Sequence, residues 1–254
     1  MRVVGLHRDV LVATSRIWQT TCTVVRNGDE CFVIDSPILP DELEILPALL
    51  EQSGFPFTGL LATHADWDHM LGRLAFGGQA PLGVAETTAA RLAAEPGAAA
   101  RELRAFDEQW YVARPAPLSL GQVQALPVPG HCAIGDEEIE LHPADGHTQD
   151  GMAAWIGWAK VLVCGDYLSP VEIPWISESG SRDAYLATLR RLQPLVDQAE
   201  FVVPGHGEVL DPVRAAAILR EDVAYLEALP DAQLPIARRS AAQRAIHATN
   251  VQRL

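Results

Sequence analysis

At 254 residues the chain is long enough for one large domain or two small ones, and 48% apolar with 20% charged residues is ordinary globular composition. Lys and Arg number 19 against 33 Asp and Glu, a formal net charge of −14, so the surface repels phosphate backbones and non-specific nucleic-acid binding is disfavoured. No segment reaches the roughly 18–20 apolar residues of a membrane span, and Gly5, His7, Arg8 and Asp9 interrupt the opening stretch, which points to a soluble, cytoplasmic protein with no membrane partner.

Residues 1–35 read as short strands. TCTVV and ECFVID flank Asn27-Gly28, a hairpin signal. With that dipeptide at the turn centre, Val24 faces Cys31 and Cys22 is diagonal to it. Diagonal neighbours lie about 7–8 Å apart, so free buried thiols are expected rather than a disulfide. Cys132 and Cys164 complete a set of cysteines without paired metal spacing. Residues 41–54 have helical spacing at Leu43, Leu46, Leu49 and Leu50, with Pro47 expected to interrupt. FTGLLATH (57–64) is a buried strand that carries His64 at its tip. A helix start at 70–76 and a strand at 80–86 follow. Residues 87–111 are alanine-rich and helical, broken at Pro96-Gly97. The passage 114–130 is proline-rich, and 87–130 as a whole has the position of a lid. Short strands are expected around 139–141, 152–158, 160–166 and 200–203. Residues 182–196 form a helix with Tyr185, Leu189 and Leu192 on one face. Residues 211–229 form another, capped by Asp211 and opened by Pro212. The Arg-rich tail, 231–254, is a docked helix or a subunit contact, the latter joining two copies in a homodimer. There is no internal repeat and no linker, so strands followed by interleaved helices and strands imply one α/β domain over 1–230 with two layered sheets.

One arrangement recurs four times: an apolar strand, then a loop with His or Asp. It occurs in LLATHADWDH (60–69), PADGHT (143–148), VLVCGD (161–166) and FVVPGHG (201–207). Strand ends fix the direction of such side chains, and imidazole with carboxylate is the donor set of borderline and hard divalent cations.

These motifs resemble those of the metallo-β-lactamase-fold superfamily: T-H-x-H-x-D-H, then G-H-T, then G-D after a strand, then P-G-H-G. Here they are Thr63 to His69, Gly146-His147-Thr148, Gly165-Asp166 and Pro204 to Gly207. The resemblance implies a four-layer αβ/βα sandwich in a single domain, with two divalent metal ions at one edge. It implies a first metal held by His64, Asp66 and His147, a second held by Asp68, His69 and His206, and Asp166 bridging both. It also implies a metal-bound hydroxide that attacks a carbonyl or phosphorus centre.

Asp66 departs from the family pattern, which has histidine there. Direct ligation, ligation through a water, and a weak or empty first site are all open. If Asp66 binds, three carboxylates against two divalent cations leave one net positive charge, where two carboxylates leave two. Such a site favours harder ions such as iron or manganese over zinc; the resemblance still puts zinc first, with iron or manganese as the alternatives that Asp66 opens. Among the other residues, Asp35 is expected to support the metal loop. Trp67 either lines the pocket or packs beneath it. Trp110, Tyr111 and Trp175 are candidates for an aromatic wall or for plain packing. His131 is a weak pocket candidate; His7, His142 and His247 fall outside the motifs, and Cys164 reads as a buried strand side chain.

The expected function is a metal-dependent hydrolase acting on a small ester-like molecule: a lactone, thioester, ester or phosphoester. Asp68 is its catalytic carboxylate, a metal ligand that also orients the nucleophile's proton. The alternatives are an iron-dependent oxidoreductase of the persulfide-dioxygenase or diiron kind, and a non-catalytic protein with an altered site.

Overall fold

The computed structural model describes residues 1–254. A first sheet of seven strands runs in chain order: β1 (Arg2–His7), β2 (Val10–Thr14), β3 (Thr21–Asn27), β4 (Glu30–Ile34), β5 (Gly59–Ala62), β6 (Leu82–Ala85) and β7 (Gln124–Leu126). Neighbours are antiparallel up to β4 and parallel from there on. The change of sense requires crossovers, supplied by α1 (Pro40–Gln52) between β4 and β5 and by α2 (Gly72–Phe76) between β5 and β6. Helices α3 (Glu86–Ala94) and α4 (Ala98–Trp110) follow β6. A second sheet contains β8 (Gly130–Ile134), β9 (Glu137–Pro143), β10 (Met152–Ile156), β11 (Val161–Val163) and β12 (Phe201–Val203), in the spatial order β12-β11-β10-β9-β8. Helices α5 (Arg182–Val196), α6 (Pro212–Ala228) and α7 (Ala241–Gln252) complete the chain.

Three apolar layers hold these elements together. Between the sheets, Val10, Val12, Val25, Ile34 and Leu61 meet Ile139, Leu141, Met152, Ile156, Val161 and Val203. Outside the first sheet, Leu46 and Leu50 of α1 cover Val24, Val33 and Leu60. Outside the second, Tyr185, Leu189 and Leu192 of α5 and Ile218 and Leu226 of α6 cover Trp155, Leu162 and Val202. The result is the expected αβ/βα sandwich. It explains why β5, β10 and β11 are apolar without alternation: each is buried on both faces.

Local rules account for most boundaries. The Asp211 side chain accepts from the Arg214 amide at 2.8 Å and Pro212 opens α6. Gly97, at φ +75°, separates α3 from α4 beside Pro96. Pro47 lies inside α1 without ending it, a correction to the expected interruption. Burial of Leu43, Leu46 and Leu50 outweighs the roughly 3 kcal/mol that an internal proline costs. The β3–β4 register also differs from expectation. The two-residue loop is Gly28-Asp29, with Gly28 at φ +56°, so Arg26 faces Cys31 and Val24 faces Val33. A slip of two keeps every side chain on its expected face. Cys22 and Cys31 remain free and buried, and burial pushes the Cys31 thiol up to about 12. Strand β8 lay unrecognised after the proline-rich passage, because its residues are mostly exposed or half-exposed and show no apolar run.

No helix is long and apolar enough to cross a membrane. The tail folds back onto its own chain. Arg238, 1% exposed, reaches Asp222 at 2.6 Å, Glu221 at 3.0 Å and the Glu172 carbonyl at 2.8 Å. Asn250 bonds the Ile176 amide at 2.9 Å and the Pro174 carbonyl at 2.7 Å, and Gln243 bonds the Ile173 amide at 2.7 Å.

Burial pushes the Asp222 carboxyl up to about 7 although Arg238 opposes the shift. Its folded-state value therefore lies above that of the unfolded chain, and its contribution is present at low pH and lost as pH rises through about 7. Arg238→Ala is expected to cost roughly 3–5 kcal/mol in urea unfolding, because a buried acid is left without its cation. The deficit should be larger at pH 8 than at pH 5, where Asp222 can neutralise itself by taking up a proton.

Candidate metal centre

The C-terminal ends of β5, β11 and β12 and the β9–β10 connection meet at one edge of the sandwich. β5 runs directly into Thr63-His64, and a short 3-10 turn, Trp67–His69, follows and carries Asp68 and His69. Asp66 precedes that turn in extended conformation. His147 lies between β9 and β10, Asp166 just beyond β11, and His206 just beyond β12. Backbone bonds join these loops: across the two sheets, Met152 N–H to the Thr63 carbonyl at 2.8 Å and Thr21 N–H to the Gly205 carbonyl at 2.8 Å, and within the second sheet, Gly205 N–H to the Gly165 carbonyl at 2.6 Å. Gly205 has to be glycine, since a Cβ there would overlap Asp166 Oδ1.

All seven predicted site residues converge. His64, Asp66 and His147 form one group, Asp68, His69 and His206 a second, and His64, His69 and Asp166 a third between them. The two oxygens of Asp166 face different groups. Oδ1 lies 3.1 Å from His69 Nε2 and 3.4 Å from His206 Nε2. Oδ2 lies 3.3 Å from His147 Nε2 and 3.8 Å from His64 Nε2. Asp66 Oδ2 is 3.2 Å from His147 Nε2 and 3.7 Å from His64 Nε2. Asp68 Oδ2 is 3.4 Å from His206 Nε2 and 3.6 Å from His69 Nε2.

Hydrogen-bond chemistry fixes which imidazole nitrogen looks inward. His147 Nδ1 meets the Trp175 carbonyl at 2.8 Å, and His206 Nδ1 meets the Trp18 carbonyl at 3.1 Å. A carbonyl only accepts, so both Nδ1 atoms carry hydrogen. His69 Nδ1 donates to Asp35 Oδ2 at 2.9 Å. The Thr63 hydroxyl also donates to Asp35 Oδ2, at 2.9 Å, and so is free to accept from His64 Nδ1 at 3.0 Å. All four Nε2 atoms therefore point at the acids, held from behind as metal-binding imidazoles are held. Among the buried atoms without a hydrogen-bond partner are His64 Nε2, His69 Nε2 and Asp166 Oδ1. Orphaned buried polar atoms are costly, and three meeting at one point fit a cation.

The electrostatics agree. Burial works against the charged forms, but the Asp66 hydrogen bond and the Asp166 charge raise His147 to about 9, and Asp166 and Glu172 raise His206 to about 10. Burial likewise disfavours the ionised acids, yet His147 and His64 hold Asp66 well below the usual carboxylate range, and His206 and His69 do the same for Asp166. The acids concentrate positive charge at the centre.

Other predicted residues take definite places. Asp35, at φ +59°, supports the loop as expected and accepts the Thr63 amide at 2.7 Å. Trp67 packs beneath the site, its ring 5.4 Å from Trp18 and 4.8 Å from Phe106. Trp175 is exposed, with its ring 5.4 Å from His147. Trp110 and Tyr111 are exposed at the end of α4. His131 is exposed on β8, His142 sits 3.4 Å from Glu140, His7 bonds the Asp9 amide and His247 bonds Tyr225. Cys164 is buried in the α5/α6 layer. Sequence reading missed Trp18, Asp150 and Arg91. Asp150 accepts the Ala65 amide at 3.0 Å, and Arg91 of α3 joins Asp150 to Asp66. Arg91 lies in an alanine-rich helix with no local pattern to mark it.

Comparison with known proteins agrees with this fold. The metallo-beta-lactamase superfamily description matches residues 16–206, and the chain belongs to that superfamily. Among solved structures, a metallo-beta-lactamase from Pontibacter korlensis is 21% identical, with a TM-score of 0.65 over 86% of this chain and 98% of that one. A metallo-beta-lactamase family protein from Thermus thermophilus is 19% identical, with a TM-score of 0.68 over 89% of this chain and 83% of that one. A third, TTHA1623 in a di-iron-bound form, is 23% identical, with a TM-score of 0.62 over 81% of this chain and 96% of that one. At these identities the likeness is one of fold.

Asp35→Ala removes the acceptor for three buried donors and is expected to lower unfolding stability by about 3 kcal/mol, measured in urea. Asp35→Asn, which keeps one carbonyl oxygen, should lose less.

Proposed function

We propose that this chain is a metal-dependent hydrolase that cleaves a small ester-like bond, whether lactone, thioester, ester or phosphoester, with two divalent cations. One observation carries the reading. The eight distances between inward imidazole nitrogens and carboxylate oxygens run from 3.1 to 3.8 Å. Donors about 2.0–2.2 Å from a tetrahedral cation lie roughly 3.3–3.6 Å apart. His64, Asp66, His147 and Asp166 Oδ2 would hold the first cation, and Asp68, His69, His206 and Asp166 Oδ1 the second. Imidazole with carboxylate suits zinc, with iron or manganese also accepted. The distances of Asp66 favour direct ligation over a water bridge.

Bound divalent cations acidify water and polarise a carbonyl or phosphoryl oxygen. The protein's own groups do the rest. Asp68 contacts the histidines through Oδ2, and its other oxygen is left to orient the nucleophile's proton. The Tyr185 hydroxyl donates to the Asp166 carbonyl at 2.8 Å, and the Tyr167 hydroxyl accepts the His147 amide at 3.1 Å, so the backbone at both residues is fixed from below. Exposed Trp175, whose ring lies 5.4 Å from His147, offers apolar surface beside the centre for a small organic substrate. The net charge of −14 favours such a molecule over a nucleic acid.

Metal analysis of the purified protein is expected to give about two divalent ions per chain, and chelation should abolish turnover on a panel of lactones, thioesters, esters and phosphoesters. Asp68→Asn should lower kcat by roughly 10²–10⁴-fold. A chain that takes up no metal, or turnover that persists in excess chelator, would end this reading.

A further inference from the structure

Asp66 has one oxygen inside the centre and the other outside it. Oδ2 faces His147 and His64, while Oδ1 lies 2.9 Å from Arg91 Nη2. The same guanidinium sends Nη1 to Asp150 Oδ1 at 2.9 Å. Asp150 is itself fixed, since its Oδ2 accepts the amide of Ala65, the residue between His64 and Asp66. Glu95 is the third acid near the guanidinium, 3.8 Å from Nε. The Arg91 side chain is 13% exposed and that of Asp150 is fully buried. A planar fork held between two carboxylates in partly desolvated surroundings is rigid in a way that a lysine ammonium would not be.

We propose that Arg91 is a positioning residue that lets an aspartate occupy the place of a histidine at the first metal. The inference rests on the metal reading above. Two effects follow from the geometry. Arg91 occupies Oδ1 and leaves Oδ2 alone facing inward, so Asp66 offers one donor atom, as an imidazole does. Arg91 also shares the carboxylate's negative charge, so Oδ2 is a weaker donor than a free carboxylate and closer to a neutral nitrogen. Asp150 orients Arg91 and ties it to the backbone of the ligand loop. Helix α3, in the stretch between the first two motifs, thus supplies a determinant of the first site.

The test is zinc affinity, read by competition with a chromophoric chelator and by the zinc-to-protein ratio. Arg91 alone cannot be removed cleanly, because Asp150 would be left as a buried unpaired charge. The variant is therefore Arg91→Gln with Asp150→Asn, in which the Asn oxygen can still accept the Ala65 amide. Expected is a loss of roughly 10–100-fold in affinity at one of two zinc sites, the range typical for groups that orient a ligand, with the second site unchanged. In an Asp66→His background the sign should reverse. Asp66→His with Arg91 retained should bind the first zinc more weakly than Asp66→His, Arg91→Gln, Asp150→Asn, because the guanidinium then faces an imidazole and a cation with no acid between. A purely structural role for Arg91 predicts the same loss in both backgrounds. Equal loss, or no loss in either, overturns the inference while two zinc ions in the parent protein leave the metal reading standing. A parent protein that binds no zinc, iron or manganese overturns both.

Discussion

The Asp166 carboxylate is the constraint on which the rest of the centre depends. Its side chain is only 11% exposed, and each of its oxygens faces a different pair of imidazoles. An acid in that position is tolerable only if positive charge surrounds it, whether on protonated imidazoles or on cations. The four histidines come from both sheets, so this one side chain requires the two halves of the sandwich to be in register at their edge. The cross-sheet bonds from Met152 to Thr63 and from Thr21 to Gly205 meet that requirement, and the bare Cα of Gly205 lets the backbone come close enough.

The second feature is how little freedom the imidazoles keep. Each Nδ1 hydrogen is committed to a different acceptor: Thr63, Asp35, the Trp175 carbonyl or the Trp18 carbonyl. Two of these are backbone groups, and side-chain identity does not encode them. Trp18 and Gln19 both hold positive φ, and His206 Nδ1 and the Gly207 amide bond their carbonyls. Backbone strain of that kind persists where surrounding contacts over-determine it, and here it sits against His206.

That distinction explains what could be read from the sequence. The convergence of His64, Asp68, His69, His147, Asp166 and His206 was legible because each sits at a strand end, within a few residues of a glycine or of another of the six. The layered fold was legible because β5, β10 and β11 are unbroken apolar runs bounded by turns. Arg91, Asp150 and Trp18 were not legible, because their roles exist only once α3, the β9–β10 loop and the β2–β3 loop come together. The β3–β4 register was misplaced by two because an Asn-Gly pair suggests a turn centre without fixing which residue lies first in the loop. Strand β8 was missed because a half-exposed edge strand needs few apolar residues. Asp66 was the most informative departure: local reading left direct ligation, ligation through a water and an empty first site all open, and could not see the arginine 25 positions away that meets its outer oxygen.

The carboxyl end has a part in the centre that its distance from every motif conceals. Arg238, Gln243, Asn250 and Arg253 grip the backbone of residues 169–176, and that segment contains the Trp175 carbonyl on which His147 rests. The final turns of the polypeptide therefore buttress a loop of the pocket from behind. Trimming them, or fusing a bulky handle that pries α7 away, would loosen the support behind His147 without touching it.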